Sequence, residues 1–247
     1  MKKLLYFLLF ILPFTLLAQD SKLFKQSVKA DNVKQGTVRL EMPAGVLHLK
    51  TGTTQFIDAQ VNYNHAGWKP AMNYSQNQGV ANLTLKQEEI SNKENNGENK
   101  WIINLNKSIP LQLIVSMGAG EANLDLSKSR LEKLNVEAGA VKCNINLAGS
   151  AVKSAKISAG VGELNVDMSG NWNHDVTMDI SGGIGDVKLK LPKGTGVRLK
   201  SSGLGSKNLN GFKKNNGSYQ NAAYGKSKHT LTINVSGGMG SLTVIEV

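Results

Sequence analysis

The sequence predicts an all-β protein whose strands stack as an elongated β-solenoid with about 21 residues per repeat. The main observation is a repeated sequence motif, here called the phrase. In it, an apolar strand leads into a Gly-centred bend and continues with alternating apolar and polar residues. Its four copies begin at Val115, Val136, Ile157 and Ile180, at intervals of 21, 21 and 23 residues. A fixed period of this size is typical of stacked repeats. The second observation is that no segment after residue 18 shows helical periodicity.

Stacking in register makes a prediction about the outward-facing positions. Equivalent residues of successive rungs would lie about 4.8 Å apart. One column then places a lysine between two carboxylates, which favours the register. A second contains amides that can hydrogen-bond along the ladder, and a third contains two carboxylates, interpreted as a solvated polar face with a bound cation as the alternative. These columns are Glu121, Lys142, Glu163 and Asp186; Asn123, Asn144, Asn165 and Lys188; and Asp125, Asn146 and Asp167.

Residues 1–18 predict a signal peptide that is cleaved near Ala18. Two lysines, Lys2 and Lys3, precede the apolar run Leu4–Leu17. That run is too short for a membrane-spanning helix, which needs about 20 apolar residues. We therefore expect an exported protein, periplasmic or at the cell surface, with no transmembrane helix in the mature chain. Loss of the two lysines lowers the formal charge from +11 to +9.

The rest of the chain divides into an N-terminal β region, residues 19–110, and the repeat solenoid, residues 111–247. The solenoid is interrupted by an insertion at residues 207–230, rich in Lys, Gly, Asn and Tyr. Within it, Asn216-Gly217 is typical of a two-residue β-hairpin turn. Because the terminal repeats of a stack must cap it, we interpret the insertion as a cap.

The N-terminal region contains a divergent copy of the phrase at Thr37–Leu49, centred on Pro43-Ala44-Gly45. Alternation predicts further strands at residues 56–63 and 79–86. Between them, Asn64–Gln78 is predicted to be a polar loop.

Four aromatic residues are the candidate ligand-binding residues, and they lie where the repeat is broken. They are Trp68 and Tyr74 in the predicted loop and Tyr219 and Tyr224 in the insertion. Exposed rings can stack on sugars or peptides. The alternative interpretation is that Trp68 and Tyr74 fold back onto the edge of the core.

The sequence shows no catalytic constellation. The four histidines are far apart and have no metal-ligand spacing, so no metal or cofactor is expected. The single cysteine, Cys143, excludes an intramolecular disulfide, and its repeat position predicts a core residue rather than a reactive thiol. We therefore predict that the protein is not an enzyme. A polysaccharide-cleaving β-helix enzyme is the least favoured alternative.

The run that begins at Trp101 contains Ile109-Pro110-Leu111, Gly118-Ala119-Gly120 and Leu124-Asp125-Leu126-Ser127, and a further turn follows at Ala138-Gly139-Ala140. In these motifs it resembles the toast-rack family of secreted or envelope-anchored bacterial proteins. The resemblance implies an all-β stack of strands and kinship with cell-wall-active antibiotic response proteins and β-helical adhesins. It implies no catalytic or binding residues.

The predicted function is a cell-envelope-associated binding or scaffolding module, adhesin-like and non-enzymatic. A regulatory or sensory partner in envelope-stress signalling is the alternative. The expected partner is a cell-envelope protein or glycan, with weak attraction to anionic envelope polymers. The basic residues are spread along the chain and form no nucleic-acid-binding motif, so nucleic acid is not an expected partner.

Overall fold

The computed structural model describes residues 21–88, 97–203 and 205–247, so the predicted signal peptide lies outside the described residues. Apart from a short 3-10 helix, Ala66–Trp68, the regular elements of the described chain are strands. These are β1 (Lys22–Val28), β2 (Gln35–Thr53), β3 (Ile57–Tyr63), β4 (Ala71–Asn77), β5 (Val80–Lys86), β6 (Asn99–Asn106), β7 (Leu111–Asp125), β8 (Leu131–Asn146), β9 (Ser154–Asp167), β10 (Val176–Leu191), β11 (Gly196–Gly203), β12 (Ser206–Asn208), β13 (Lys213–Asn215), β14 (Ser218–Gln220) and β15 (Thr230–Glu246).

Six long strands form the body of the stack, in the order β2-β7-β8-β9-β10-β15, and all pair in parallel. Each strand bends once near its middle. In β7, Val115 and Met117 before the bend and Ala122 and Leu124 after it are all buried. We call the two halves the first arm and the second arm. Because both arms turn their apolar residues inward, the core lies inside the bend.

The copies of the phrase stack in register. Val115 pairs with Val136, which pairs with Ile157, which in turn pairs with Ile180. The flanking rungs are distant in sequence, since Leu40 pairs with Val115 and Ile180 pairs with Val235. The divergent copy predicted at Thr37–Leu49 is therefore a rung of the same stack.

Two columns of glycine allow the bends to stack. In the first column, a Cβ on Gly139 would lie 2.3 Å from the carbonyl oxygen of Gly118. In the second, Gly185 has a φ of +148°, and a Cβ there would lie 1.8 Å from the carbonyl oxygen of Gly162. A side chain at these glycines would push successive rungs apart, so backbone meets backbone there. Pro43 and Val141 occupy the matching positions of β2 and β8. The columns contain Gly118, Gly139, Gly160, Gly183 and Gly238, and Gly45, Gly120, Gly162, Gly185 and Gly240.

The outward columns of the second arms hold the predicted register. Side-chain amides of Asn144 and Asn165 donate to Oδ1 of Asn123 and Asn144 respectively, each at 2.8 Å. In the neighbouring column Lys190 Nζ lies 3.0 Å from Asp167 Oδ2. Burial alone would raise the pKa of Asp167, but hydrogen bonds from Ser169 and the charge of Lys190 outweigh it and lower the pKa.

At the N-terminal end, β5 and β6 together replace a full rung. β5 pairs with the first arm of β2, and β6 pairs with its second arm. Where the bend of that rung would lie, the buried amides of Gln87 and Asn99 hydrogen-bond to each other at 2.7 and 3.0 Å. Asn99 also donates to the carbonyl oxygen of Ala44 at 2.6 Å, so its side chain satisfies a backbone group of the β2 bend that the missing bend would have paired.

The prediction of a polar loop at Asn64–Gln78 is wrong in its second half, because β4 lies within it and pairs antiparallel with β5. Most side chains of β4 are exposed on both faces. A strand at the end of a stack buries little, and its sequence therefore lacks the apolar alternation that marks a half-buried strand.

The insertion covers the C-terminal end of the stack. β14 pairs with β11 and with β13, and the turn between β13 and β14 is the predicted Asn216-Gly217 hairpin. Asn216 and Gly217 have φ values of 43° and 73°, the positive values that this type of two-residue turn requires. The interpretation of the insertion as a cap is consistent with this pairing.

Replacing Gly185 with alanine should destabilise the stack. The new Cβ would collide with the carbonyl oxygen of Gly162 at a residue whose φ is positive, so we expect the free energy of unfolding to fall by at least about 2 kcal/mol. Urea denaturation measures this. The matched control is Gly194→Ala, where no atom lies within 4 Å of the added Cβ, and it should change stability by less than about 1 kcal/mol. Equal stability of the two variants would contradict the role given to the glycine columns.

The ion pair of Asp167 should make stability depend on pH. Because its folded pKa is lowered, its contribution is present above the unfolded pKa of about 3.9 and is lost as pH falls through the folded value. We expect Asp167→Asn to lower the free energy of unfolding near neutral pH by about 1 kcal/mol or less, since the pair is partly exposed. The difference from wild type should shrink in acid. If urea titrations gave the same difference in free energy of unfolding at every pH, the ionised carboxylate of Asp167 would not be the group that stabilises the fold.

Candidate functional site

A groove of about 920 Å³ runs across the outward face of the second arms, and we call it the second-arm groove. Alternation along each strand sends every second residue outward, so the groove is lined by whole columns of the stack. Its long axis crosses the strands from β6 to β15. The polar side chains that line it are His48, Lys50, Lys100, Asn123, Asp125, Asn144, Asn146, Asn165, Asp167, Lys188 and Lys190.

The ammonium groups of the second-arm groove lie near its two ends, and the carboxylates of Asp125 and Asp167 lie between them. Lys50 lies on β2 and Lys188 on β10, four strand steps apart, a separation of about 19 Å. The amide ladder of Asn123, Asn144 and Asn165 lies between them. Amides both donate and accept hydrogen bonds, and ammonium groups attract anions. This surface can therefore bind hydroxyl and anionic groups along an extended ligand.

A second groove, of about 730 Å³, lies on the outward face of the first arms and is called the glycine trough. The first column of glycines forms one of its walls. The polar side chains that line it are Glu41, Gln87, Ser116, Glu137, Ser158 and Ser181. With its short side chains and exposed backbone, the trough presents fewer charged and amide groups than the second-arm groove.

Between the two grooves, the outermost residue of each bend forms an apolar ridge. Its members are paired in register, and they grow in size from alanine at one end to methionine at the other. Val161, Ile184 and Met239 are 51, 55 and 69% exposed. Sequence reasoning missed this ridge, although the middle residue of each bend, which lies between two glycines in four of the six rungs, could have revealed it. The ridge consists of Ala44, Ala119, Ala140, Val161, Ile184 and Met239.

The structure separates the predicted ring residues from one another. Trp68 is only 5% exposed and belongs to the core, which agrees with the interpretation that it folds inward. A ring so placed has no open face for a sugar. Tyr74 on β4 is 37% exposed, packs 5.9 Å from the Phe56 ring and donates to Gln76 Oε1 at 2.6 Å. Burial, and after it the nearby carboxylate of Asp31, raises the pKa of Tyr74.

Tyr219 and Tyr224 lie at the opposite end of the stack and are half-buried, Tyr219 against the core. Nine strand steps separate β4 from β14, a distance of about 40 Å. The four rings therefore do not form one binding platform. Ligand binding by Tyr74, Tyr219 or Tyr224 stays a prediction.

Residues with catalytic or metal-binding potential are not gathered at either groove. In the part of the chain that the structure describes, no three His, Cys, Asp or Glu side chains lie close enough together to hold a metal ion. Cys143 is buried in the core, as its repeat position predicted, and burial raises the pKa of its thiol to about 12. Within the same residues, no helix is long and apolar enough to cross a membrane.

Among solved structures, the chain is similar to a candidate cell adhesion protein from Clostridium sporogenes, with a TM-score of 0.71 and 27% sequence identity over 92% of this chain and 100% of that chain. Two further structures are a candidate adhesin from Bacteroides fragilis and a candidate lipid binding protein from Parabacteroides distasonis. They are 16 and 9% identical, with TM-scores of 0.34 and 0.33, over 92 and 91% of this chain and 98 and 97% of theirs. Those two TM-scores are too low to support an argument. None of the curated proteins matches the chain.

The family model for the N-terminal domain of toast_rack, DUF2154, matches residues 18–157 and 133–190. These ranges cover more than half of the chain and include the motifs that begin at Trp101. The stack of bent parallel strands is the architecture that the resemblance implied. The chain therefore belongs to the family defined by the toast-rack N-terminal domain.

Proposed function

We propose that the mature protein is an exported, non-enzymatic, adhesin-like module that binds a glycan of the cell envelope along the second-arm groove. The observation that carries this proposal is the in-register array of amides between two cationic ends. The similarity to a candidate cell adhesion protein at a TM-score of 0.71 supports a role in adhesion. Export rests on the signal peptide that residues 1–18 predict.

An extended glycan fits the groove better than a small molecule does. The lining residues repeat from rung to rung, so equivalent donors and acceptors recur about every 4.8 Å along the groove. A small ligand would contact only a few of these rungs. A polymer of hydroxylated units can contact all of them, and many weak contacts then add to a useful affinity.

Asp167 does not have the electrostatics of a general acid. Glycosidases protonate the leaving group with a carboxylic acid whose pKa is raised. Asp167, which lines the groove, instead has a lowered pKa and forms an ion pair with Lys190. Its carboxylate is therefore ionised at neutral pH and is suited to accepting hydrogen bonds from hydroxyl groups.

Replacing lysines at both ends of the groove should weaken binding to envelope glycans. We expect Lys50→Glu combined with Lys188→Glu to reduce retention of the purified mature protein on isolated cell-wall and surface polysaccharide by about tenfold. The control is Lys156→Glu combined with Lys133→Glu, which changes charge equally at exposed positions of the first arms. No retention of the wild type on any envelope fraction, or equal loss in both variants, would contradict the proposal. Release of soluble sugar fragments would contradict its non-enzymatic part.

A further inference from the structure

Four strands of the described chain pair with a neighbour on one side only, namely β1, β4, β12 and β13. Such an edge presents a row of unpaired backbone donors and acceptors that can add a strand from another chain. Natural proteins protect edges by making them very short or by placing charged residues, especially lysine, on them. The four edges therefore differ in what they can bind.

Three of the edges carry these protections. β1 contains Lys22 and Lys25, β12 contains Lys207, and β13 contains Lys213 and Lys214. β12 and β13 are also only three residues long.

The remaining edge, β4, carries none of them. It has seven residues, Ala71–Asn77, and no charged side chain. Every residue of β4 except Met72 is exposed. Its outer edge is thus as long as that of β1 but lacks the lysines that would keep another strand away.

We propose that β4 of one copy pairs antiparallel with β4 of a second copy, about a two-fold axis at Tyr74. This register places Asn73 opposite Ser75 of the second copy, and the two Tyr74 side chains opposite each other on one face. The uncharged amide, hydroxyl and phenol groups of β4 donate as well as accept hydrogen bonds, so the strand is complementary to itself. A cross-strand aromatic pair at the axis adds to the stability of the contact.

Charge selects this edge for contact between copies. The chain carries a net charge of +11, or +9 without Lys2 and Lys3, so most of its surfaces repel a second copy. Antiparallel pairing of β1 with itself over its full length would bring Lys25 against Lys25 of the other copy. β4 is the long edge of the described chain that carries no charged side chain of its own, and a two-fold contact of this kind is the commonest in homo-oligomers.

The pairing would join two stacks into one continuous sheet, because β4 ends the row of first arms through β5 and β2. The dimer would then present two second-arm grooves in one rigid particle. If the grooves bind glycan as proposed above, two of them on one polymer would raise the apparent affinity without any new contact to the ligand. The dimer itself does not depend on that proposal.

Sedimentation of the purified mature protein tests the pairing. We expect the wild type to pass from monomer to dimer as its concentration rises. Asn73→Lys combined with Ser75→Lys should weaken dimerisation about tenfold, because each introduced lysine faces another across the axis. The control is Gln112→Lys combined with Thr177→Lys, which adds the same charge at exposed positions of strands that already have two neighbours. This variant should dimerise like the wild type.

Charge complementation separates edge pairing from a folding defect. We expect the double lysine variant to form a heterodimer when mixed with an Asn73→Glu and Ser75→Glu variant, since lysine and glutamate then face each other across the axis. A wild type that stays monomeric at all concentrations would overturn the proposal. Undiminished dimerisation of the lysine variant, or failure of the two variants to associate while both keep the circular dichroism spectrum of the wild type, would overturn it as well.

Discussion

The close approach of backbone to backbone at the glycine bends is the constraint on which the rest of the structure depends. A Cβ at Gly185 would lie 1.8 Å from the carbonyl oxygen of Gly162, so these two rungs approach this closely only because no side chain intervenes there. With the bends aligned, each long strand has two arms that face each other across the core. The outward faces of those arms then become the glycine trough and the second-arm groove, and the residue at the tip of each bend becomes the apolar ridge.

Above this constraint, side-chain ladders select one register. The aliphatic columns of the two arms supply most of the burial, but they would tolerate a shift of two residues because the pattern of a strand repeats every two positions. The amide bonds of 2.8 Å between Asn123, Asn144 and Asn165 penalise such a shift, as does the ion pair of Lys190 with Asp167. The groups that line the second-arm groove are thus the same groups that hold the register. Any ligand in the groove meets a surface that is already ordered.

The ends of the stack matter for a different reason. At each end, the backbone donors and acceptors of the last bend need hydrogen-bond partners, because no further bend stacks on them. At one end the Asn99 amide, which is hydrogen-bonded to Gln87, donates to the carbonyl oxygen of Ala44, and at the other end the insertion pairs with β11. Edges that are left open differ in charge, and only β4 among the long ones is neutral within the described residues. The proposed binding along the second-arm groove and the proposed association at β4 would use separate surfaces, so one would not block the other.

Much of this architecture was determined by the sequence alone. The spacing of Val115, Val136, Ile157 and Ile180 predicted the rungs, and the identities of their outward residues predicted the ladders, because period and alternation are local properties of the chain. The tertiary structure decided the features that depend on the curvature of the sheet and on contacts between segments far apart in sequence. It showed that the aligned columns enclose a groove, that Trp68 is buried, and that β4 is a strand whose polar residues concealed it from pattern reasoning. These features arise where segments far apart in sequence meet, so no local pattern could encode them.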